Sequence, residues 1–281
     1  MNNGILLFAF NNSKIDYIKQ AYFIARQSKK YLDLPVSIVV NTLDINTEYI
    51  NSFDNIIDLS TYKNLPNYRS YYNSYNSKTK LEFLNDARYL AFELSPYDNT
   101  LLLDTDIVIL NDNFKFCFSQ DSDFLIYDTA YNLGNHVETN EFKFISNLGI
   151  KFYWATAVFF KKTKINKIFF NLVGHIKDNW DHYKEIYYIK QRYFRNDYAF
   201  SIAIHILNGF AKGEFAQQMP GKLFYITDTD ICYKIKNDEL IFLLDKDFLS
   251  GDYLAVNWKS HNIHVMNKFS LNSCIDRLMD E

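Results

Sequence analysis

The chain alternates short apolar runs with stretches in which apolar residues recur at helical spacing. Runs at 4–10 and 36–40 are strand-like, and between them Ile15, Ile18 and Ala21 begin a helical pattern that extends to residue 32. Ser13 is the predicted cap of this helix. A strand, helix and strand in series form parallel strands joined by a right-handed crossover. The opening pattern therefore predicts an α/β fold with a mostly parallel sheet flanked by helices.

The rest of the chain continues this mixed pattern. A stretch rich in Tyr, Asn and Ser at 62–77 predicts a loop, and a helical pattern at 78–94 stops at a Ser-Pro pair. Helices are expected over most of 164–208, with an interruption near 195–197. Further strands are predicted at 56–59, 124–127, 152–160, 222–226, 231–235 and 240–244, with a loop at 128–140 and a final segment containing two histidines at 255–268. Because 209–221 is the only candidate seam, we expect a single domain over 1–281.

Two acids interrupt the strongest apolar run, which lies within 97–110. Three leucines precede Asp104 and four aliphatic residues follow Asp106, so both acids are predicted inside one strand that is buried on both faces. Side chains at i and i+2 of a strand share a face, which leaves Thr105 on the opposite face. Two adjacent buried carboxylates need a compensating cation, and one divalent metal ion would serve both. The alternative is that the acids end the strand and face water.

Composition and charge narrow the functional classes. The 281 residues are 48% hydrophobic with a net charge of −3, which allows a full core and gives no general attraction for nucleic acids or acidic membranes. No window reaches the roughly 18 apolar residues of a membrane helix, and the N-terminal run is too short for a signal peptide, so we expect a cytoplasmic protein. The three cysteines lack metal-ligand spacing. Abundant Asn, Ile, Lys and Tyr indicate an AT-rich genome, as in a phage or a low-GC bacterium.

Polar side chains follow the first two predicted strands. Asn11 and Asn12 come directly after the first strand, and Asn41 follows the second. Ligands of parallel α/β sheets bind at the carboxyl ends of the strands. We therefore expect these three asparagines to lie near a bound ligand.

The run ARYLAFELSPYDNTLLLDTDIVIL at 87–110, followed much later by a His and a Lys, resembles the DxD segment of nucleotide-sugar glycosyltransferases of the GT-A fold, especially the family-8-like retaining enzymes. The resemblance implies a Rossmann-like GT-A fold, with a mixed, mostly parallel sheet flanked by helices and a helical acceptor-side region. It also implies a nucleotide-sugar-binding half at 1–130. The acceptor-side half at 131–281 would carry a C-terminal metal-binding segment.

The same resemblance implies a set of site residues. Asp104, Asp106 and His264 would bind the metal ion, and His261 is the rival of His264. Mn²⁺ or Mg²⁺ suits oxygen ligands, and an imidazole ligand favours Mn²⁺. Asp197, with Asn196 beside it, would lie near the sugar, although either residue would also serve as an ordinary helix cap. The positions expected to contact the donor are Asn11, Asn12, Tyr17, Asn41, Arg88, Thr105 and Lys268.

The implied activity is metal-dependent transfer of a hexosyl or pentosyl group. The donor would be a nucleoside diphosphate sugar, preferably a UDP-sugar, and the acceptor a hydroxyl, with retention of configuration. Tyr17 would stack against the base, and Arg88 and Lys268 would contact the diphosphate, whose charge a divalent ion neutralises as it leaves. The acceptor could be a glycan, a small molecule or a modified DNA base. The DNA substrate would require a basic patch near Arg192 and Arg195.

Two other functions are compatible with the same residues. In a haloacid-dehalogenase-like phosphatase Asp104 would be the nucleophile and Asp106 an acid. An inactive nucleotide-sugar binder is the third hypothesis. A second Asp-Thr-Asp tripeptide, at 228–230, lacks apolar residues on both sides and is predicted to be a solvated turn between strands.

Overall fold

The computed structural model describes residues 2–63, 66–74, 77–134, 142–236, 239–247 and 251–280. The predicted loop at 128–140 lies outside the described residues beyond position 134. In chain order the strands are β1 (Asn3–Ala9), β2 (Val36–Val40), β3 (Asn55–Asp58), β4 (Tyr68–Ser74), β5 (Ser77–Glu82), β6 (Asn99–Leu103), β7 (Ile107–Val108), β8 (Phe124–Tyr127), β9 (Ala130–Asn132), β10 (Trp154–Lys161), β11 (Gln217–Gln218), β12 (Leu223–Ile226), β13 (Ile231–Lys236), β14 (Glu239–Asp245), β15 (Tyr253–Trp258) and β16 (Ile263–Val265).

Helices connect and cover these strands. The α-helices are α1 (Tyr17–Tyr31), α2 (Thr47–Ile50), α3 (Ala91–Leu94), α4 (Lys164–Asp178), α5 (Trp180–Ile186), α6 (Asn196–Leu207) and α7 (Lys268–Asp280). Short 3-10 helices span Arg88–Leu90 and Asn113–Ser119. Across the described ranges, no helix is long and apolar enough to cross a membrane.

The central sheet has seven strands in the order β11-β8-β10-β6-β1-β2-β3. Only β10 runs antiparallel to its neighbours among these described strands, and every other neighbouring pair is parallel. The inner strands are apolar and fully buried, as at Leu6, Leu102 and Val158, because α1 packs on β1 and β2 while α6 packs on β10. The predicted mixed, mostly parallel sheet flanked by helices is confirmed.

A smaller sheet continues from the end of β6. Its strands have the order β7-β16-β12-β9, with β16 antiparallel to β7 and parallel to β12. The antiparallel sheet β13-β14-β15 and the hairpin β4-β5 complete the described strands. Because β16 pairs with β7, the C-terminal part of the chain lies beside the segment that follows Asp106.

Two predictions between residues 62 and 94 are wrong. These residues contain the antiparallel hairpin of β4 and β5, in which Tyr71 pairs with Thr79, in place of a loop followed by a long helix. The exposure of successive β5 side chains alternates, which is the period of two that a strand requires. Helical structure begins only at Arg88.

The helix boundaries also differ from those predicted. The N-cap of α1 is Asp16, whose side chain accepts a hydrogen bond from the Lys19 N–H at 2.9 Å, and Ser13 does not cap the helix. Helices over 164–208 are confirmed, but the interruption covers 187–195. The final helix α7 was not predicted, although Leu271, Cys274 and Ile275 are buried at helical spacing.

The order of the central strands creates a crevice beside β1. The chain passes from β1 outward to β2 and β3 and then returns to the other side of β1 as β6. Loops at the carboxyl ends of β1 and β6 therefore leave in opposite directions, and such a switch point is where open α/β sheets bind ligands. A cavity of about 500 Å³ lies there, lined by Phe8 of β1 and by Asp104, which follows β6.

Candidate active site

The two acids lie in a turn between two sheets and not within one strand. β6 ends at Leu103, and β7 begins at Ile107 in the smaller sheet. The prediction of a shared strand face is therefore wrong, because the chain leaves the central sheet at this point. The turn is held by the Asp104 N–H, which donates to the Thr156 carbonyl at 2.8 Å. Asp104 and Asp106 nevertheless converge, since the turn directs both carboxylates into the cavity.

His264 reaches the two carboxylates through strand pairing. It lies on β16 opposite Ile107 of β7, and the Val265 N–H donates to the Asp106 carbonyl at 2.8 Å. This register places His264 Nε2 3.1 Å from Asp106 Oδ2. Ligand atoms of Asp104, Asp106 and His264 all lie within 4.8 Å of one another.

His261, the rival ligand, lies elsewhere. Its ring is exposed and packs against Phe224 and Trp258, with ring centroids 5.5 Å and 5.7 Å away. The Trp258 indole N–H donates to the His261 carbonyl at 2.9 Å, which ties the residue to its own turn. In the described part of the chain, His264 is thus the histidine that joins the two acids.

Two cations flank the acids. Arg88 Nη1 donates to Asp104 Oδ1 at 2.8 Å, and Lys268 Nζ lies 2.6 Å from Asp106 Oδ2. Burial by itself would raise the pKa of Asp106, but His264 and Lys268 hold that pKa well below its usual range. Burial raises the pKa of Asp104, and Arg88 opposes this rise only in part. Arg88 is a buried partner of Asp104, since its side chain is only 3% exposed.

The cluster has the donor atoms that a divalent metal ion needs. Asp104 and Asp106 offer hard oxygen ligands, and His264 adds an imidazole nitrogen. His264 Nδ1 is buried and has no hydrogen-bond partner among the described residues, so this ring is not fully satisfied by the protein. The residues present therefore fit a divalent ion.

The three asparagines at the strand ends engage the backbone. Asn11 Oδ1 accepts hydrogen bonds from the Tyr17 and Ile18 N–H groups at 2.7 and 3.1 Å. Asn41 is bonded to the backbone of Asn11, and Asn12 donates to the Glu82 carbonyl. None of the three belongs to the described lining of the cavity, so their contact with a donor stays a prediction.

Tyr17 and Thr105 do line the cavity. The Tyr17 hydroxyl lies 3.2 Å from that of Tyr71, and burial raises the pKa of Tyr17 well above its usual value. The Thr105 hydroxyl donates to Gln20 Oε1 at 3.2 Å. Thr105 lies in the turn and not on a strand, so the alternation of strand faces does not apply to it, and its contact with a donor stays a prediction.

Asp197 and Asn196 form the start of α6 at the edge of the cavity. Asp197 Oδ1 accepts a hydrogen bond from the Ala155 N–H at 3.0 Å, which fixes the helix end against β10. Asn196 donates to the Asn85 carbonyl at 3.1 Å, while its own Oδ1 is buried without a partner among the described residues. Both residues line the cavity, and the alternative that either caps the helix is wrong, because the N-cap residue of α6 is Arg195.

Several residues of the cavity were missed by sequence reasoning. The hairpin contributes Arg69, Tyr71 and Lys80, which fall in segments predicted as a loop and a helix. The period-two alternation of β5 was the available signal. Asp228 also lines the cavity, in the tripeptide predicted to be solvated. That prediction is wrong because Thr229 and Asp230 are only 8% and 5% exposed.

Comparisons with known proteins return similarity at the level of structure only. No family model matches the sequence, and no curated protein matches it. Among solved structures, the match to the glycosyltransferase GlyE of Streptococcus pneumoniae TIGR4 covers 74% of this chain and 43% of the GlyE chain, at 12% identity and a TM-score of 0.41. The galactosyltransferase LgtC, solved with donor and acceptor sugar analogues, matches 83% of this chain and 75% of its own, at 14% identity and a TM-score of 0.43. The bifunctional glycosyltransferase WbbM matches 66% of this chain and 37% of its own, at 10% identity and a TM-score of 0.39.

Proposed function

We propose that this protein is a metal-dependent glycosyltransferase that moves a sugar from a nucleoside diphosphate sugar to an acceptor hydroxyl. One observation carries the proposal. Asp104, Asp106 and His264 converge within 4.8 Å, and Arg88 and Lys268 lie directly beside them in a cavity at the switch point of the sheet. The acids suit a divalent ion and the adjacent cations suit a diphosphate. A site that bound only one of these two ligands would have no use for the other set of residues.

The residues of the cluster would divide the work between them. Asp104, Asp106 and His264 would hold the ion, which when bound neutralises charge on the diphosphate leaving group. Arg88 donates to Asp104 and to the Ala155 carbonyl, while its Nε and Nη2 atoms are buried without a partner among the described residues. Its guanidinium thus keeps N–H groups for a phosphate oxygen.

Lys268 and Asp197 complete the proposed roles. Lys268 begins α7, and its ammonium, held at Asp106, would bind the diphosphate as a point charge. Asp197, fixed by the Ala155 N–H, would orient hydroxyl groups of the sugar. Asn196 would support this position through its contact with the Asn85 carbonyl.

The finer features belong to the same proposal. The imidazole of His264 supports Mn²⁺, and Tyr17, which lines the cavity, would contact the base. A UDP-sugar, a hexosyl or pentosyl group, retention, a cytoplasmic location and a single domain divided at about residue 130 follow from the resemblance and the sequence. No observation on the described residues favours the phosphatase alternative.

Thermal unfolding tests the donor site. A ligand at 100 times its Kd stabilises the folded state by about 2.7 kcal/mol, so a nucleoside diphosphate with Mn²⁺ should raise the unfolding midpoint visibly. We expect His264→Ala to lose the shift and His261→Ala, the matched control, to keep it. The proposal fails if no nucleoside diphosphate shifts the midpoint with Mn²⁺, or if the two variants behave in the reverse way.

A further inference from the structure

Two further arginines, which are not members of the acid cluster, line the cavity. Arg69 lies on β4, and Arg195 is the N-cap residue of α6. Burial lowers the pKa of Arg69, and the positive charge of Arg195 lowers it further. Two guanidinium groups of like charge therefore lie in the same cavity wall, where Asp197 supplies part of the opposing charge to both.

The protein neutralises this pair incompletely. Arg195 Nη2 contacts Asp197 Oδ2 at 3.3 Å, and the other oxygen of Asp197 is already taken by a backbone N–H. Across the described ranges, Arg69 makes no ion pair, and its guanidinium stacks 3.4 Å above the ring of Phe83. The Nε atoms of both arginines are buried without a hydrogen-bond partner in the same ranges. Buried N–H groups of this kind are rare in native proteins and indicate a missing acceptor.

Charges at the acid cluster are balanced separately. Asp104 is paired with Arg88, and Asp106 with Lys268 and His264. The cations of that cluster are therefore committed to its own acids or to a diphosphate. Arg69 and Arg195 therefore add positive charge to the cavity wall beyond that of the acid cluster.

Aromatic rings line the same cavity as the two arginines. Tyr68 and Tyr193 also line the cavity and pack edge to face, with ring centroids 5.8 Å apart. The Lys80 ammonium lies 4.8 Å from the Tyr68 ring and adds a third positive charge. Aromatic faces suit the apolar face of a sugar ring, and guanidinium groups suit a carboxylate or phosphate through paired N–H donors.

We propose that Arg69 and Arg195 form a second anion subsite that takes the carboxylate or phosphate of an acidic sugar. The acidic sugar is either the acceptor or the group being transferred. This inference rests on the proposed function, since it places a sugar next to the diphosphate site. Residues outside the acid cluster would then determine which class of sugar the protein selects.

Binding measurements test the subsite on the intact protein saturated with Mn²⁺ and a nucleoside diphosphate. Glucose 6-phosphate and methyl glucuronide, the charged probes, should bind at least about tenfold more tightly than neutral methyl glucoside. Arg69→Gln and Arg195→Gln should each remove this preference, and Arg69→Lys should restore part of it. Arg26→Gln, which removes an exposed arginine outside the described cavity lining, is the matched control and should keep it.

A second arm locates the charge. A preference for a nucleoside diphosphate glucuronic acid over the corresponding glucose donor would assign it to the transferred sugar, and a preference only among the free sugars would assign it to the acceptor. Absence of a charge preference in both arms overturns the proposal. The proposal is also overturned if the arginine variants lose as much affinity for a nucleoside diphosphate as for the acidic sugar. Arg69 and Arg195 would then bind the diphosphate and not a second anion. If no nucleoside diphosphate binds, the proposed function fails, and the charged probes still test the subsite on the protein alone.

Discussion

The tripeptide Asp-Thr-Asp occurs at 104–106 and at 228–230, and the two copies border the same small sheet on either side of β16. In the first copy both carboxylates meet side-chain cations. In the second copy Asp230 meets the N–H groups of Thr227 and Asp245, at 2.7 and 2.8 Å. The same tripeptide thus forms a cluster of charged side chains in one place and a hydrogen-bonded turn in the other. The partners of the carboxylates, and not the tripeptide, decide between the two outcomes.

The pKa shifts of the last acid in each copy, Asp106 and Asp230, are opposite in sign. Burial tends to raise the pKa of any carboxyl group. At Asp106 the interactions with His264 and Lys268 outweigh burial and lower the pKa. At Asp230 burial dominates and the pKa is raised, although hydrogen bonds from Thr227 oppose the rise. A buried acid held by charges can exchange one cation for another, whereas an acid held by backbone groups cannot.

Removal of Lys268 is the largest expected perturbation of the first copy. Lys268→Met leaves Asp106 buried with only His264 beside it, and breaking a buried ion pair costs about 3–5 kcal/mol. We expect a loss of unfolding free energy of about that size in denaturant titrations without metal. Mn²⁺ should restore more stability to the variant than it gives to the wild type, since the ion replaces the missing charge. If Mn²⁺ stabilised the variant and the wild type equally, the ion would not be replacing the charge of Lys268 at Asp106.

Asp230→Asn tests the second copy. The carboxylate accepts three hydrogen bonds, from the Thr227 N–H and hydroxyl and from the Asp245 N–H. An amide group can accept on one side only, so the unfolding free energy should fall by about 2–3 kcal/mol. Mn²⁺ should leave this deficit unchanged in the same titration. Recovery with Mn²⁺ would show that the second copy also binds the ion.

Asp86 extends the comparison to another buried acid, which lies beside Lys177. Lys177 Nζ lies 3.5 Å from Asp86 Oδ2, and burial raises the pKa of Asp86 to about 6. Because this folded pKa exceeds the unfolded value of about 3.9, the contribution of Asp86 to stability is complete below pH 4. It is lost as the pH rises through 6, by up to about 3 kcal/mol. The stability difference between wild type and Asp86→Asn should therefore fall between pH 4 and pH 7. A constant difference, or one that grows, would contradict the assignment.

Asp228→Asn should have the smallest effect. Asp228 lines the cavity, and the charge of Lys268 acts on it. Removing this negative charge should strengthen nucleoside diphosphate binding about threefold, or roughly 0.6 kcal/mol, with little change in the unfolding midpoint. Isothermal titration would detect the change. Weaker binding in the variant would instead indicate that Asp228 contacts the ligand directly.

The sequence was sufficient for the main sheet and for part of the site. Continuous apolar runs identified β1, β2 and β6, because strands covered by helices need no polar positions. The same runs drew attention to Asp104 and Asp106. They could not reveal the turn between these acids, since that turn depends on pairing of β7 with β16, far along the chain.

Other parts of the site depend on contacts that local patterns do not encode. Asp230 is buried because two distant residues bond to it. The Asp245 N–H of β14 donates to its carboxylate, and the Asn267 side chain donates to its backbone carbonyl. Arg69 was hidden in a segment whose tyrosines and asparagines are typical of loops, although Tyr71 pairs with Thr79 across the hairpin. The resemblance pointed to His264, and strand register then separated it from His261.

Titration of Mn²⁺ in the presence of a nucleoside diphosphate tests the central claim most directly, with Asp106→Asn and Asp230→Asn compared to the wild type. Loss of a metal ligand should exceed the roughly 10–100-fold that outer partners of a metal site contribute. The account predicts one Mn²⁺ per chain in the wild type, the same affinity in folded Asp230→Asn, and a loss of more than about 100-fold in Asp106→Asn. Unchanged Mn²⁺ affinity in Asp106→Asn would contradict the assignment of this cluster as the metal site of a glycosyltransferase.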